Sequence, residues 1–356
     1  MAYTIITDVY EGITDIKSLP WDKVIRFTLS VSMPLVMGFF VGQLHYGVVA
    51  LVGGMYAVNT ANVVSSPRSR LLVTLITAVL ITGCAELGEL CAYSFILLAL
   101  GVLILGVTAG WVHNSHKGLE SMGRFAVAGF LFGANQQTTF GTKLIEIDAR
   151  VTLAFFAGGV WALLVMLLEP LLKQHQGATD EPSLRQGWQR LWTGQTAGLR
   201  FALCYGIVVT LGWVISPFLG IQNPFWVAVT TLFVMRPDSR ATAQRTVERV
   251  AGTLIGVLLV WGIITLTQSP KFLILCIILT TPLIPIGFAS NYTLCCIAIT
   301  VLVMVMIDLL TLTHGGDLFL LPMRFYSTAV GCGLTIIGTA ITYPKLWWRN
   351  GSKKRY

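Results

Sequence analysis

Long apolar runs, broken at intervals by short polar turns, dominate this chain. A hydrocarbon core of about 30 Å is crossed by a helix of about 20 predominantly apolar residues. Windows of that kind recur at about 24–43, 46–62, 71–90, 92–112, 121–137, 149–168, 200–219, 223–236, 250–268, 271–288, 290–310 and 322–343. The pattern predicts an all-α polytopic membrane protein with about twelve transmembrane helices. Between the sixth and seventh windows, Lys173 to Leu199 is polar and contains Gly177, Pro182 and Gly187. Within it, Leu184 to Trp192 reads as a short amphipathic helix lying at the inner interface.

The windows repeat. Arg26-Phe27 opens the first and Arg200-Phe201 the seventh, a shift of 174 that also relates Arg150 to Arg324 and Pro170 to Pro344. Between these points the shift is 177, which places Gly47 on Pro224, Gly53-Gly54 on Thr230-Thr231 and Arg68 on Arg245. Each half holds an even number of windows, so the two six-helix repeats are parallel, related by an axis along the membrane normal. The expected domains are a cytoplasmic segment 1–23, a first repeat 24–170, a cytoplasmic linker 171–199, a second repeat 200–344 and a basic cytoplasmic tail 345–356. The tail (Arg349, Lys353, Lys354, Arg355) reads as a disordered anchor toward anionic lipid.

Composition agrees with this class and excludes a soluble domain: 55% of residues are hydrophobic and 11% charged, and mean hydropathy is +0.75. The net charge of +8 follows the positive-inside rule if both termini are cytoplasmic, because only Lys143, Arg150, Lys271 and Arg324 then face outward. Trp21, Trp188, Trp192, Trp347 and Trp348 flank the same inner boundary as interfacial anchors. Met1 to Trp21 carries four charged residues among its first seventeen and lacks the apolar core of a cleavable signal peptide. The seven cysteines show no metal-ligand or redox spacing. No phosphate-binding loop, HExxH or nucleophile elbow is present. No enzyme activity, cofactor or metal is therefore expected.

Two sets of residues are candidates for a solute site. Short or Gly/Pro-interrupted spans at matching places in two repeats point to a binding site, and the second span of each half qualifies. One is bracketed by Pro224 and Pro237 and carries Trp226, Thr230 and Thr231; the other carries Gly53, Gly54, Tyr56 and Asn59. A break there would expose backbone N–H groups to an anion; the alternative is an ordinary tilted helix with packing glycines. The second set is basic. Arg150 with Arg324, and Arg26 with Arg200, would form positive rings about the repeat axis, or else snorkel to headgroups. Arg236, Arg245, Arg249 and Arg68 would line a cytoplasmic vestibule, or hold the loop at the headgroups. Among acidic residues Asp308 is the best proton carrier, with His314 nearby, unless it lies solvated at the outer interface. Asp148 is the second proton-coupling candidate and would pair with Arg150 or Arg324.

The segment from Leu199 to Leu258 resembles the fusaric acid resistance protein-like family, which includes aromatic carboxylic acid exporters. The resemblance lies in the apolar span from Arg200, Asn223-Pro224-Phe225-Trp226, the FVMRPD turn, and Arg245-Thr-Val-Glu-Arg249-Val-Ala-Gly252-Thr-Leu-Ile-Gly256. The first half is more weakly similar through YGVVALVGGMYAVNTAN and Arg68. The Glu169-Pro170 pair closing the sixth span is distantly similar to plant aluminium-activated malate transporters. This resemblance implies a six-span module used twice around a central pathway and export of organic anions, often aromatic acids, from the bacterial inner membrane. The implied partners are a small organic anion, membrane lipids and a periplasmic adaptor protein, with no nucleic acid, in a monomer or homo-oligomer. An anion channel driven by membrane potential, and a non-transporting scaffold or lipid-handling protein, are the alternative readings.

Overall fold

The computed structural model describes residues 19–64, 66–139, 149–168, 184–266, 269–311 and 320–343, and every regular element among them is a helix. In chain order these are α1 (Trp21–Phe40), α2 (Leu44–Asn62), α3 (Pro67–Cys91), α4 (Phe95–Val112), α5 (Lys117–Thr139), α6 (Ala149–Leu167) and α7 (Leu184–Trp192). The second half continues with α8 (Leu199–Phe218), α9 (Pro224–Val234), α10 (Ser239–Leu266), α11 (Pro270–Thr280), α12 (Leu283–Ser290), α13 (Tyr292–Thr311) and α14 (Leu320–Thr342). The amphipathic linker helix thus occupies the residues expected of it.

Among the described residues, nine helices, with α11 and α12 taken together as one, are long and apolar enough to cross a membrane. The expected windows that fall outside this set are α2, α5 and α9. Helix α9 has only 11 residues, while polar positions dilute α2 and α5. The window expected at 271–288 is two helices, because Pro282 lacks an N–H and its ring collides with the preceding turn. Outward faces are as apolar as inward ones: Leu72, Leu75, Ile76 and Val79 on α3, and Leu254, Ile255, Leu258 and Leu259 on α10, are all exposed. Such faces suit a lipid solvent, in which a helix satisfies its own backbone hydrogen bonds.

The chain folds as two compact units. One holds the described residues of 1–79, 148–179 and 248–325; the other holds those of 80–147, 180–247 and 326–356. The compact units are therefore not the sequence halves 24–170 and 200–344. Each combines helices one, two and six of one half with helices four and five of the other. Helices α3, α10 and α14 each divide between units.

In the first unit α2 is the hub. It contacts α1, α6 and α13, and it is buried nearly all round, from Gly47 through Ala61, as a helix apolar on every side must be. Close approach replaces bulk at its seams. A methyl group placed on Gly158 of α6 would lie 1.8 Å from the Ala50 carbonyl oxygen, and one on Gly53 would lie 2.0 Å from that of Phe155. Helix α1 presents Val24, Phe27, Val31 and Leu35 to the core at helical spacing, and α11 and α12 pack on it. Ser32 donates to Thr281 across the first of these contacts (3.5 Å).

The second unit repeats the scheme with the halves exchanged. Helix α8 packs against α4 and α9. The α4 seam is made by Gly106 against Gly206 and by Gly110 against Ala202, where an added Cβ would meet backbone at 2.9 and 2.8 Å. Helix α9 is its buried hub, with Phe225, Val227, Ala228, Thr230, Thr231, Leu232 and Val234 all inside. Gly331 of α14 lies against Val227 and Thr230 as Gly158 lies against Ala50, and Ala50 and Val227 are related by the same shift of 177 that the sequence shows.

These seams predict opposite outcomes for one substitution at two sites. Gly158→Ala forces the α2–α6 backbones apart and should destabilise the protein by about 1–3 kcal/mol. Gly83→Ala adds a methyl group where nothing lies within 4 Å, and should be neutral or stabilising by about 0.5–1 kcal/mol through helix propensity. Thermal unfolding in detergent distinguishes the two.

Candidate functional site

The second unit contains a charged cluster built from three local structures. Helix α4 stops at Val112, and His113 caps it, its N–H donating to the Gly110 carbonyl (3.3 Å). The turn passes through Asn114 at a positive φ of 68°, a conformation that asparagine tolerates better than most residues. Next, His116 Nδ1 accepts from the Gly118 N–H (3.0 Å) at the start of α5. Glu120 then falls in the first turn of α5, where the helix dipole favours a carboxylate, and Arg124 follows one turn later.

The third piece is the turn after α9. Met235 is extended and Pro237 prevents the helix from continuing. Asp238 caps α10, accepting from the N–H groups of Arg240 (3.3 Å) and Ala241 (3.1 Å). Thr242 Oγ1 accepts from the Arg236 N–H (3.0 Å) and lies 3.1 Å from the Arg236 carbonyl oxygen, within donating distance. The backbone of Arg236 is thereby fixed from both sides, and its side chain is aimed at α5.

Arg236 Nη1 donates to Glu120 Oε1 at 3.0 Å, Arg124 Nη2 approaches the same oxygen at 3.3 Å, and His113 Nδ1 lies 3.3 Å from Oε2. Aromatic rings surround them. The Arg124 guanidinium stands 6.0 Å above Phe233, Phe125 packs on Phe233 at 5.5 Å, and His113 meets the rings of Phe201 and Tyr205 edge-on. Tyr205 donates its hydroxyl hydrogen to the Leu232 carbonyl.

His113 follows α4 and Glu120 precedes the apolar stretch 121–137, so both lie outside the spans. Burial alone would raise the Glu120 carboxyl. Contact with His113 and the charges of Arg124, His113 and Arg236 outweigh it and hold the group at about 2. For His113 burial prevails: it lowers the imidazole more than Glu120 raises it, and Arg124 and Arg236 push the same way. The resting cluster therefore joins one carboxylate, a neutral imidazole and two guanidinium groups.

The residues expected from sequence are placed differently. Helix α2 is continuous through Gly53 and Gly54, which serve as packing seams, so the expected break that would expose N–H groups is absent there. Tyr56 is buried edge-on against Phe155 at 6.0 Å, and Asn59 donates to its own helix at Met55 (2.9 Å). The hydroxyls of Thr230 and Thr231 likewise return to carbonyls of Trp226 and Ala228 in α9. Trp226 is half-buried and stacks edge-on with Phe225 at 5.0 Å. The second span of each half is thus a packing core.

The repeat-related arginines sit in unlike surroundings. Arg26 is buried and donates to Asn62 (3.0 Å) and Asp22 (3.3 Å), whereas Arg200 is exposed and donates to the Ile341 carbonyl (2.9 Å). Arg324 is buried and Arg150 exposed, so these pairs do not present matching rings of charge. Of the expected vestibule, Arg68 is exposed, Arg245 is half-buried and Arg249 is buried with Nη1 at 3.7 Å from Cys296 Sγ. Arg236 alone joins the cluster. Asp308 is buried near the end of α13; Asp148 and His314 lie outside the described residues. Sequence reasoning passes over His113, Glu120 and Arg124, although a histidine turn followed by Glu and Arg at i, i+4 was a readable signal.

These helices, their lipid-facing surfaces and the charged turn define a multi-pass helical membrane protein. Residues 211–338, which include α9, Arg236 and α10, match the family described as fusaric acid resistance protein-like, a transporter-like membrane family. The chain is 27% identical over 181 residues to the inner membrane protein YccS of Escherichia coli K12, covering 50% of this chain and 25% of that one. It is 25% identical over 171 residues to the uncharacterized protein ORF2 of Neisseria gonorrhoeae (47% and 40% covered). It is also 28% identical over 155 residues to the uncharacterized membrane protein YvaC of Bacillus subtilis 168 (43% and 24% covered). The match therefore spans 24–40% of the length of these relatives. No solved structure matches the chain.

The charges of the cluster give a pH signature. Glu120 has a folded-state value below its ordinary 4.5, so its stabilisation is present above 4.5 and is lost as pH falls toward about 2. Glu120→Gln should destabilise the protein at pH 7 by about 3 kcal/mol, and the gap to wild type should close as pH falls below 4.5. His113 is lowered from 6.5, so keeping it neutral costs stability as pH falls below that value. His113→Phe should remove the part of the acid sensitivity that begins near pH 6.5. Thermal melts across pH 3–8 test both; parallel curves would show that these charges do not hold the turn.

Proposed function

We propose that this protein exports organic anions, in particular aromatic or amphipathic carboxylates, across a bacterial inner membrane by secondary transport. The observation that carries this reading is the pair of partly buried guanidinium groups of Arg124 and Arg236, bordered by Phe233 and drawn together on one oxygen of Glu120. An incoming carboxylate competes with Glu120 for these two groups, since arginine recognises carboxylates through paired N–H donors. Phe233, half-buried beneath the Arg124 guanidinium, offers an apolar face to the body of an aromatic acid. The relative named as an inner membrane protein supports the location.

Binding of this kind is linked to a proton. When substrate takes the guanidinium groups, the interactions that hold Glu120 low are shared and the opposing effect of burial grows. Glu120 then gains affinity for a proton, and His113, 3.3 Å away, is placed to pass one. An inside-negative potential favours outward movement of an anion by about 2.3 kcal/mol per charge per 100 mV; an anion that leaves together with the proton on Glu120 moves no net charge, so the potential drives only turnovers in which the proton stays behind. Asp308, buried in α13 of the other unit, remains a second proposed proton carrier.

Reconstitution into proteoliposomes tests the reading with fusarate and benzoate as probes, potential and pH gradient being set independently. Wild type should carry both anions. Arg236→Gln and Arg124→Gln should each reduce flux about tenfold or more, the loss expected for a charge-assisted hydrogen bond, while Arg185→Gln on exposed α7 should not. Glu120→Gln should bind the probes more tightly and lose the dependence on pH gradient. Absence of flux in folded wild type, or equal flux in Arg236→Gln, would overturn the assignment. Flux that follows potential alone in every variant would mark a channel.

A further inference from the structure

We propose that the groove between α8 and α14 holds an acyl chain of an anionic phospholipid whose phosphate is bound by Arg200. The groove encloses about 240 Å³, and Arg200 is the charged residue among those lining it. Its wall is apolar: Ile207 and Leu211 of α8 face Ile337 and Ile341 of α14, and all four are exposed. Gly338 sets the depth of the seam, because a Cβ there would lie 2.4 Å from a Val208 methyl. The polar atoms along the seam are turned inward. Cys204 Sγ and Thr342 Oγ1 both bond the Gly338 carbonyl, at 3.2 and 2.7 Å. Beyond Arg200, the groove offers only hydrocarbon.

Arg200 is fixed at one end. Its Nη2 donates to the Ile341 carbonyl (2.9 Å), which spans the groove and leaves the exposed guanidinium at its mouth. It also lies in the first turn of α8, where backbone N–H groups favour an anion. A separate observation gives its depth. The amphipathic helix α7 ends at Trp192 and α8 begins at Leu199. Trp188 and Trp192 are 56% and 79% exposed, as aromatic anchors at the headgroup level are. Phosphate depth at one end and an open apolar furrow leading away from it match a phospholipid. A free soluble anion would leave the furrow unfilled. A zwitterionic headgroup brings its own cation and gains less from Arg200.

Native mass spectrometry of the detergent-purified full chain tests this with phosphatidylglycerol, phosphatidylcholine and inorganic phosphate as probes. Wild type should bind phosphatidylglycerol about fivefold or more tightly than phosphatidylcholine, the factor one arginine at a lipid surface supplies. Arg200→Gln should erase that preference, while Arg68→Gln, exposed elsewhere, should keep it. Ile207→Trp, at the open wall where no core packing is lost, should weaken both lipids alike. The proposal is overturned if Arg200→Gln retains the preference, if Ile207→Trp changes nothing, or if inorganic phosphate displaces the lipid from wild type. Anion flux through the Glu120 cluster is a separate readout, so failure of one assignment does not decide the other.

Discussion

Helices that meet in lipid gain little from hydrophobicity, because the surrounding tails are as apolar as the side chains that would be buried. Close contact must supply the attraction, and close contact needs residues small enough to let backbones touch. That constraint organises both units. Gly158 against Ala50, Gly53 against Phe155 and Gly331 against Val227 are places where even one methyl group would collide with a neighbouring backbone. They decide which helices become central. The second helix of each half, lined by such seams, becomes the hub on which the others pack.

The same seams explain why the compact units cut across the sequence repeat. Helix α4 carries its small residues, Gly106 and Gly110, on the face that meets α8 of the other half, and α11 and α12 pack reciprocally on α1. This exchange has a chemical consequence. Glu120 and Arg124 come from the first half of the chain and Arg236 from the second, and they meet because α5 and α9 share one unit. A charged site on which both halves depend is thereby built inside a single compact body.

Electrostatics then breaks the symmetry that the repeat starts with. Arg26 is buried and bonds to Asn62 and Asp22, while Arg200 is left at an open groove mouth. Arg324 is sealed inside its unit and Arg150 is exposed. Matching positions in the two halves thus stand in different surroundings: some arginines are buried among helices, and Arg200 lines an open apolar groove. The cluster at Glu120 differs from these because two guanidinium groups from different halves of the chain share one carboxylate oxygen.

The class of the protein was written in its hydropathy. Apolar windows of bilayer length must become helices, since lipid offers the backbone no other partner, and prolines and polar turns fixed their ends closely enough that α7 fell on its expected residues. A shift of 174 or 177 between matching residues was legible too, because it needs no contacts to be seen. What no linear pattern conveyed was the meaning of Gly53-Gly54 or of Pro224 to Pro237. A glycine pair reads alike whether it breaks a helix or admits a neighbour, and only the carbonyl of Phe155 lying against it decides. Nor could the chain show Glu120 reaching across 116 residues to Arg236. Side-chain charge is a property of sequence, but its partner and its burial are properties of packing.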